Sequence, residues 1–195
     1  MAAKAKKKEL PKLGVTCTDA RCDKKLHAFK PKPQMTTDEI GNCRACGASG
    51  LVDWERVHER DPADFDYLRS ALDQELIRHL FWELAIPEHV RDLAVNPRRH
   101  TLAEMLERSV RTRIGQPASK IFRDGTQTPF PDRPEARIFH YGQHATGTCC
   151  RQCLAYWHGI ATDVPLGKKE LDYTTGLVWR YVGEKLEEPR NEDEV

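Results

Sequence analysis

The sequence lacks any apolar run of the roughly 18 residues that a membrane-spanning helix needs. Its first residues carry lysines with no apolar segment behind them, so we expect no secretory signal peptide. These two absences predict a cytoplasmic protein with no membrane association. Thiols stay reduced in the cytoplasm, so the seven cysteines are expected to be metal ligands or reactive thiols before disulfides.

The chain also lacks a strong net charge. The formal charge is +1, which gives no field over the whole molecule to attract nucleic acid. The charge is nevertheless uneven, because residues 1–34 hold ten Lys and Arg against three Asp and Glu, whereas residues 184–195 hold two against six. Such ends are typical of solvated tails. We therefore expect a disordered basic tail at 1–14 and an acidic tail at 189–195.

Four cysteines in the first quarter of the chain have the spacing of a metal-binding module. They form two close pairs in the pattern C-x4-C-x20-C-x2-C: Cys17 with Cys22, and Cys43 with Cys46. Two tight turns brought together supply four thiolates at tetrahedral angles, and His27 is an alternative to one of the cysteines. A segment this short has too small a core to fold without a metal. We therefore predict a zinc-ribbon-like module over residues 15–55.

Apolar residues beyond position 60 recur at the spacing of helices. Asp61-Pro62 combines a capping residue with a first-turn proline and predicts one helix over residues 61–85. A capping box at residues 101–104 begins another helix, which is expected to end at Gly115. Four further segments are expected: a short helix between Pro87 and Asn96, a strand at 137–141, a helix at 150–157 that stops at Gly159, and a last helix at 167–188.

These elements predict a mainly α fold with a small α+β character, in which a helical domain at 60–188 surrounds a Cys/His zinc site. The densest group of ligands lies between His140 and His158, where three cysteines and three histidines fall together. Zinc takes four soft or borderline ligands, so this group contains more candidate ligands than one zinc ion needs. The ligands that we favour are His144, Cys150, Cys153 and His158.

One of the two adjacent cysteines is expected to be free, because the Cβ vectors of neighbouring residues diverge. Cys150 and Cys153 have the spacing of a zinc knuckle, whereas Cys149 and Cys153 share one face of a helix; which cysteine is spare stays open. With the N-terminal module, two zinc ions are expected per chain. Polar residues in or near the cluster are candidates to line a site: Asp124, Gln127, His140, Cys149 and Arg151.

Three segments resemble a small bacterial and phage family of unknown function. They are residues 124–129 (DGTQTP), 143–154 (QHATGTCCRQCL) and 157–160 (WHGI), which carry the motif QHATxTCCRxCLxxWHGI. The resemblance is most specific over about 110–160 and extends to about 183, so the four-cysteine module looks like an addition. It implies a recurrent His/Cys site and no particular activity. Typical members have lysine at the position of Thr126 and alanine or a similar residue at that of Gly147.

Three functions are consistent with this pattern. The first is a zinc-stabilised module that binds DNA or RNA through the basic N-terminus and an arginine-rich face at Arg98–Arg123. The second is a metal- or thiol-dependent enzyme, a hydrolase or a redox protein, that uses the His144–His158 cluster. The third is a protein adaptor with two structural zinc ions. The sequence favours the first.

Overall fold

The computed structural model describes residues 14–95, 101–121, 124–125 and 136–187. Both expected tails, apart from Gly14 at the end of the first, lie outside these residues, and so does Gln127. The described residues form a mainly helical protein with no strand, as the predicted fold class requires. Their eight α-helices are α1 (Trp54–Glu59), α2 (Phe65–Leu72), α3 (Leu76–Glu83), α4 (Glu88–Val95), α5 (Leu102–Ile114), α6 (Ala136–Ala145), α7 (Arg151–His158) and α8 (Lys168–Glu187).

The single helix expected over residues 61–85 is broken into two. Asp61 caps a short 3-10 turn as predicted, but the helix then stops at Leu72 and resumes at Leu76. At the break, His27 donates its backbone N–H to Gln74 O at 2.7 Å, and Leu76 donates to His27 O at 3.0 Å. The N-terminal module therefore pairs with the backbone that an unbroken helix would have used for its own hydrogen bonds.

The prediction of a strand at 137–141 is wrong, because these residues belong to α6. Helix α6 lies at the centre of the fold and packs against α3, α4, α5 and α8. Ile138, Phe139 and Tyr141 are all buried. The predicted segment has only five residues, which is too short for its spacing to distinguish a helix from a buried strand.

The other expected helices are confirmed. The capping box of α5 is formed by Thr101 and Glu104, and Gly115 ends that helix. Cys150 caps α7 by accepting the backbone N–H of Cys153, and Gly159 ends α7 with a φ of 60°. Helices α4 and α8 lie where they were predicted.

Aromatic side chains join the N-terminal module to the helical domain. The ring of Phe29 lies 5.8 Å from that of Trp157 on α7 and 5.5 Å from that of Trp54 on α1. Phe29 and Trp157 are fully buried in one apolar core with the other helices. The module therefore packs directly against α7. No helix in the described part of the chain is long and apolar enough to cross a bilayer.

Candidate metal centres

The first cluster of potential metal ligands lies in the N-terminal module. It consists of Cys22, His27, Cys43 and Cys46, whose ligand atoms all lie within 4.8 Å of one another. The Sγ atoms of Cys22 and Cys43 are 3.7 Å apart, and Cys46 Sγ is 3.6 Å from His27 Nδ1. In a tetrahedral zinc site, bonds of about 2.3 Å to sulfur and about 2.0 Å to nitrogen place the ligand atoms roughly 3.5–3.8 Å apart. These four residues therefore fit a metal ion of that size.

Two tight turns bring the ligands of the first cluster together. Arg21 and Leu26 exchange two backbone hydrogen bonds around Cys22, and the turn is closed by Lys25 with a φ of 59°. On the opposite side, Gly47 has a φ of 77° and donates its N–H to Cys43 O at 2.8 Å. Glycine adopts this left-handed conformation without steric cost. The sequence therefore specifies both turns locally.

The environment of Cys43 favours the thiolate that a metal requires. Burial raises its pKa, but backbone hydrogen bonds from residues 28, 45 and 46 and a contact with His27 outweigh this and lower it to about 6. Burial and the neighbouring thiols raise the pKa of Cys22 to about 12. Cys43 is therefore more ready than Cys22 to bind as a thiolate, and Cys22 must lose its proton when an ion binds.

The structure groups the N-terminal ligands differently from the prediction. Cys17, which was expected to pair with Cys22, lies outside the first cluster, and His27 takes the fourth position. The neighbouring thiol of Cys153 and burial instead raise the pKa of the Cys17 thiol. The physical reason is the backbone pairing of His27 with the break between α2 and α3, which holds its ring beside Cys46.

The second cluster lies at the start of α7 and contains Cys149, Cys150 and Cys153 within 4.8 Å of one another. The Sγ atoms of Cys149 and Cys153 are 3.4 Å apart. Cys150 Sγ accepts the backbone N–H of Cys153 at 3.3 Å. The expectation that one adjacent cysteine points away is corrected here. Cys150 caps the helix with an extended backbone, and the sulfurs of both adjacent cysteines lie in the same cluster.

A buried arginine lies against the second cluster. The Nη2 of Arg78 is 3.1 Å from Cys153 Sγ, and its Nη1 is 3.7 Å from Cys149 Sγ. Its Nε donates to Glu75 at 2.9 Å, and both side chains are fully buried. Burial tends to lower the pKa of Arg78, but Tyr156, Cys153 and Glu75 raise it well above its usual value, so the guanidinium stays charged. Thiol hydrogen bonds and this charge lower the pKa of Cys153.

The three histidines expected near this site are core residues, separate from both clusters. His158 Nδ1 is 3.0 Å from Tyr173 OH, and Nε2 is 3.0 Å from Thr146 O. His144 Nδ1 is 2.9 Å from His140 O, and its ring stacks on Phe81 with centroids 4.6 Å apart. Burial lowers the pKa of both His144 and His158 to about 4. Their hydrogen bonds identify structural roles that spacing alone does not predict.

The remaining candidates lie beside the cap of α7. The Asp124 carboxylate accepts the backbone N–H of Arg151 at 3.2 Å, which satisfies the N-terminus of the helix. Arg151 donates to three backbone carbonyls, those of Ile114, Ala161 and Val164. His140 Nδ1 lies 3.2 Å from Arg113. Asp124 and Arg151 therefore position the turn that carries the cysteines.

Sequence reasoning missed Glu75 and Arg78. The sequence feature that could have identified them is a pair of opposite charges, three positions apart, in line with the apolar face of Leu72 and Leu76. Both point into the core, where each requires a partner. Without the fold, the pair is indistinguishable from a solvated i,i+3 ion pair on a helix surface.

Taken together, the chain is a helical protein with two thiol-rich clusters, each able to hold a metal ion. It belongs to the family described as Domain of unknown function (DUF4186), which matches residues 66–183. The matched region contains the second cluster and Arg78, whereas the first cluster and Cys17 lie before it. No solved structure matches the chain.

Proposed function

We propose that the chain is a zinc protein that carries two ions and binds nucleic acid through its N-terminal module. The observation that carries the zinc assignment is the grouping of Cys22, His27, Cys43 and Cys46 within 4.8 Å, with two ligand-atom distances of 3.7 and 3.6 Å that match edges of a zinc tetrahedron. Three thiolates and one imidazole leave no coordination position for substrate, so this ion is structural. A cytoplasmic setting belongs to the same proposal, because the cysteines must stay reduced.

The basic side chains that support nucleic-acid binding lie on the metal-bearing turn. Arg21, Lys24 and Lys25 are all exposed there, and the bound ion would fix the turn that presents them. The arginine face expected on α5 gives less support for nucleic-acid binding. Arg111 is paired with Glu107 at 2.7 Å and Arg113 contacts His140, while residues 98, 99 and 123 lie outside the described residues. We therefore assign the contact to the turn.

Phosphate binding by these cations predicts a steep salt dependence. Each Lys or Arg that contacts duplex DNA releases counterions and adds about −0.9 to the slope of log K against log salt. The test is fluorescence anisotropy with short labelled DNA and RNA, single- and double-stranded, at increasing salt. Lys24→Gln with Lys25→Gln is expected to make the slope for duplex DNA shallower by about 1.8.

The chain contains a matched control for this experiment. Lys168 and Lys169 are also adjacent, exposed lysines, but they lie on α8. Changing both to Gln removes the same charge and is expected to leave the slope unchanged. If the wild-type chain binds none of these nucleic acids at low salt, or if both double variants lose the same slope, the contact at the turn is disproved.

A thiol-dependent enzyme is the second candidate, and one observation favours it. The guanidinium of Arg78 stabilises a thiolate on Cys153 next to Cys149, and such an environment activates nucleophilic cysteines. Alkylation by iodoacetamide, located by peptide mass spectrometry, distinguishes the two functions. Zinc-loaded protein with a structural site resists alkylation at these residues. Rapid alkylation of Cys149 or Cys153 in protein that retains the zinc ion of the first cluster supports the enzyme.

A further inference from the structure

We infer that Cys149 and Cys153 form a peroxide-reactive dithiol site, at which hydrogen peroxide converts the two thiols into a reversible disulfide. This inference goes beyond the proposed function and does not require a metal ion in the second cluster. The substrate class is a small hydroperoxide. In reducing compartments, disulfides of this kind are transient and serve catalysis or redox sensing.

The distance between the two sulfur atoms is the first argument. Cys149 Sγ and Cys153 Sγ are 3.4 Å apart. Cys149 precedes the cap of α7, and Cys153 lies in the first turn of that helix. The two sulfurs must approach by about 1.4 Å to reach the bonding distance of about 2.0 Å. Rotation of the Cys149 side chain, which lies outside the helix, supplies a movement of this size.

A positively charged side chain lies against both sulfurs. Arg78 Nη2 is 3.1 Å from Cys153 Sγ, and Arg78 Nη1 is 3.7 Å from Cys149 Sγ. Both donors belong to one rigid guanidinium, whose Nε is held by Glu75 at 2.9 Å in a fully buried ion pair. The thiolate is the nucleophilic form of cysteine, and a neighbouring arginine stabilises it. The guanidinium therefore favours the reactive form at this pair.

The two cysteines differ in their access to solvent. Cys149 is partly exposed, whereas the side chain of Cys153 is only 1% exposed. Cysteines that react with oxidants are typically accessible thiols with a second cysteine beside them, which resolves the first product. We therefore assign the first reaction to Cys149 and the second to Cys153. The near burial of the pair favours an oxidant as small as hydrogen peroxide.

Cys150 has a different role in the same cluster. Its Sγ accepts the backbone N–H of Cys153 at 3.3 Å and caps α7. A disulfide to Cys150 would move this sulfur away from the cap. The structure therefore favours the pair of Cys149 and Cys153 over either pair that includes Cys150.

The reaction balances in two steps. The Cys149 thiolate attacks one oxygen of hydrogen peroxide, the O–O bond breaks, and the departing hydroxide takes up a proton and leaves as water. Cys149 is then a sulfenic acid. Cys153 Sγ attacks Cys149 Sγ, the S–S bond forms as the S–O bond breaks, and a second hydroxide takes up a proton. In total, the two thiols lose two electrons and two protons, and the peroxide is reduced to two molecules of water.

Oxidation and metal binding compete for the same sulfur atoms. Cys149 and Cys153 are two of the three cysteines in the second cluster, and metal ligation requires thiolates. A zinc ion held there would therefore leave when the disulfide forms. The first cluster shares no residue with this pair and would keep its ion.

The test is titration of the reduced, full-length chain with hydrogen peroxide, followed by N-ethylmaleimide, trypsin digestion without reductant and peptide mass spectrometry. Trypsin cleaves after Arg151, which separates Cys149 and Cys150 from Cys153. A link to Cys153 therefore joins two peptides, and fragmentation between residues 149 and 150 identifies its partner. Wild type is expected to form the Cys149–Cys153 link at about one equivalent of peroxide per chain. Both residues then lose their N-ethylmaleimide label before the first cluster does, and dithiothreitol restores it.

Two variants test the order of the steps. Cys150→Ser is the matched control, because serine is a good capping residue, and its rate of link formation should stay within about twofold of wild type. In Cys153→Ser the sulfenic acid on Cys149 has no resolving partner. Dimedone, which traps sulfenic acids, is therefore expected to label Cys149 in this variant. If either variant fails to fold, as judged by circular dichroism, the linkage found in wild type decides.

The outcomes separate this inference from the proposed function. A link of Cys150 to either neighbour, or oxidation of the first cluster before this pair, overturns the inference. Unoxidised thiols at both positions in excess peroxide, with two zinc ions retained, also overturn it and leave a two-zinc protein intact. A Cys149–Cys153 link in a chain with one zinc ion before and after oxidation supports the inference and disproves the second zinc ion.

Discussion

Glu75 and Arg78 form an ion pair at the start of α3 in which both side chains are fully buried. Glu75 also accepts hydrogen bonds from Trp157 Nε1 at 2.7 Å, from Tyr156 OH at 3.1 Å and from Phe29 N at 3.2 Å. Arg78 donates to both Tyr156 and the thiols of the second cluster. This pair therefore connects the N-terminal module, α3 and α7.

Replacing Arg78 is expected to destabilise the protein strongly. Arg78→Met leaves Glu75 buried without its cation, and loss of one partner from a buried pair costs about 3–5 kcal/mol. Urea denaturation of the zinc-loaded chain measures this change in the free energy of unfolding. The control is Arg111→Met, which breaks a pair that is exposed on both sides and should cost less than about 1 kcal/mol. Equal losses in the two variants contradict the role given to Arg78.

His27 should be required for the first metal ion. His27→Ala removes one of four ligands and is expected to lower the zinc content from two ions to one, as measured by elemental analysis after gel filtration. His27→Cys restores a four-ligand shell at the first cluster and should return the zinc content to two ions. His79→Ala is the control, because His79 pairs with Asp73 at 3.0 Å and lies in neither cluster. Full zinc content in His27→Ala refutes the assignment.

Because α6 and α8 approach closely, replacing two helical glycines by alanine should change the free energy of unfolding in opposite directions. A Cβ at Gly142 would lie 2.9 Å from both Tyr181 Cδ1 and Val178 Cγ1, whereas one at Gly176 would meet nothing within 4 Å. Gly142→Ala is expected to destabilise by about 1–3 kcal/mol through overpacking. Gly176→Ala should stabilise by up to about 1 kcal/mol through helix propensity. Thermal unfolding measures both, and the same sign for the two would contradict this packing.

The buried histidines predict a loss of stability in acid. Burial lowers the pKa of His144 and His158 to about 4 from an ordinary value of about 6.5. The unfolded chain therefore binds more protons than the folded one between these values. Stability is fully present above about pH 6.5 and falls as the pH is lowered towards 4, by on the order of 3 kcal/mol for each histidine.

Urea denaturation between pH 7.5 and pH 5 measures this effect in the presence of excess zinc. His158→Gln should reduce the slope of stability against pH, while His79→Gln keeps both buried histidines and should retain it. A slope that is unchanged in His158→Gln contradicts the buried, neutral state of this residue.

Local signals explain which helices could be predicted from the sequence. The cap of α5 and the stops at Gly115 and Gly159 depend on neighbouring residues, so spacing identifies them. The break before Leu76 depends on His27, which is distant in the chain; its backbone N–H donates to Gln74 O and its C=O accepts the Leu76 N–H. Residues 137–141 of helix α6 are too few for their spacing to distinguish a helix from a strand. These two features required the tertiary structure.

For the ligand clusters too, spacing predicts one part and only the tertiary structure gives the rest. Cys43 and Cys46 share one turn, and their spacing predicts their grouping. The exchange of Cys17 for His27 follows from how the module packs on α3 and α7, which sequence spacing does not encode. Spacing also does not give the surroundings of the histidines: His144 Nδ1 lies beside the His140 carbonyl, both ring nitrogens of His158 have partners, and neither ring lies in the two clusters of the described residues.

X-ray absorption at the zinc edge of the purified full-length chain tests the central claim most directly. Two ions held by the two clusters predict a protein shell of six sulfurs and one nitrogen per chain. Ligation by His144 and His158 would instead require at least two nitrogens per chain. We expect two zinc ions with the sulfur-rich shell. Fewer than two ions, or two or more imidazole nitrogens per chain, would contradict it.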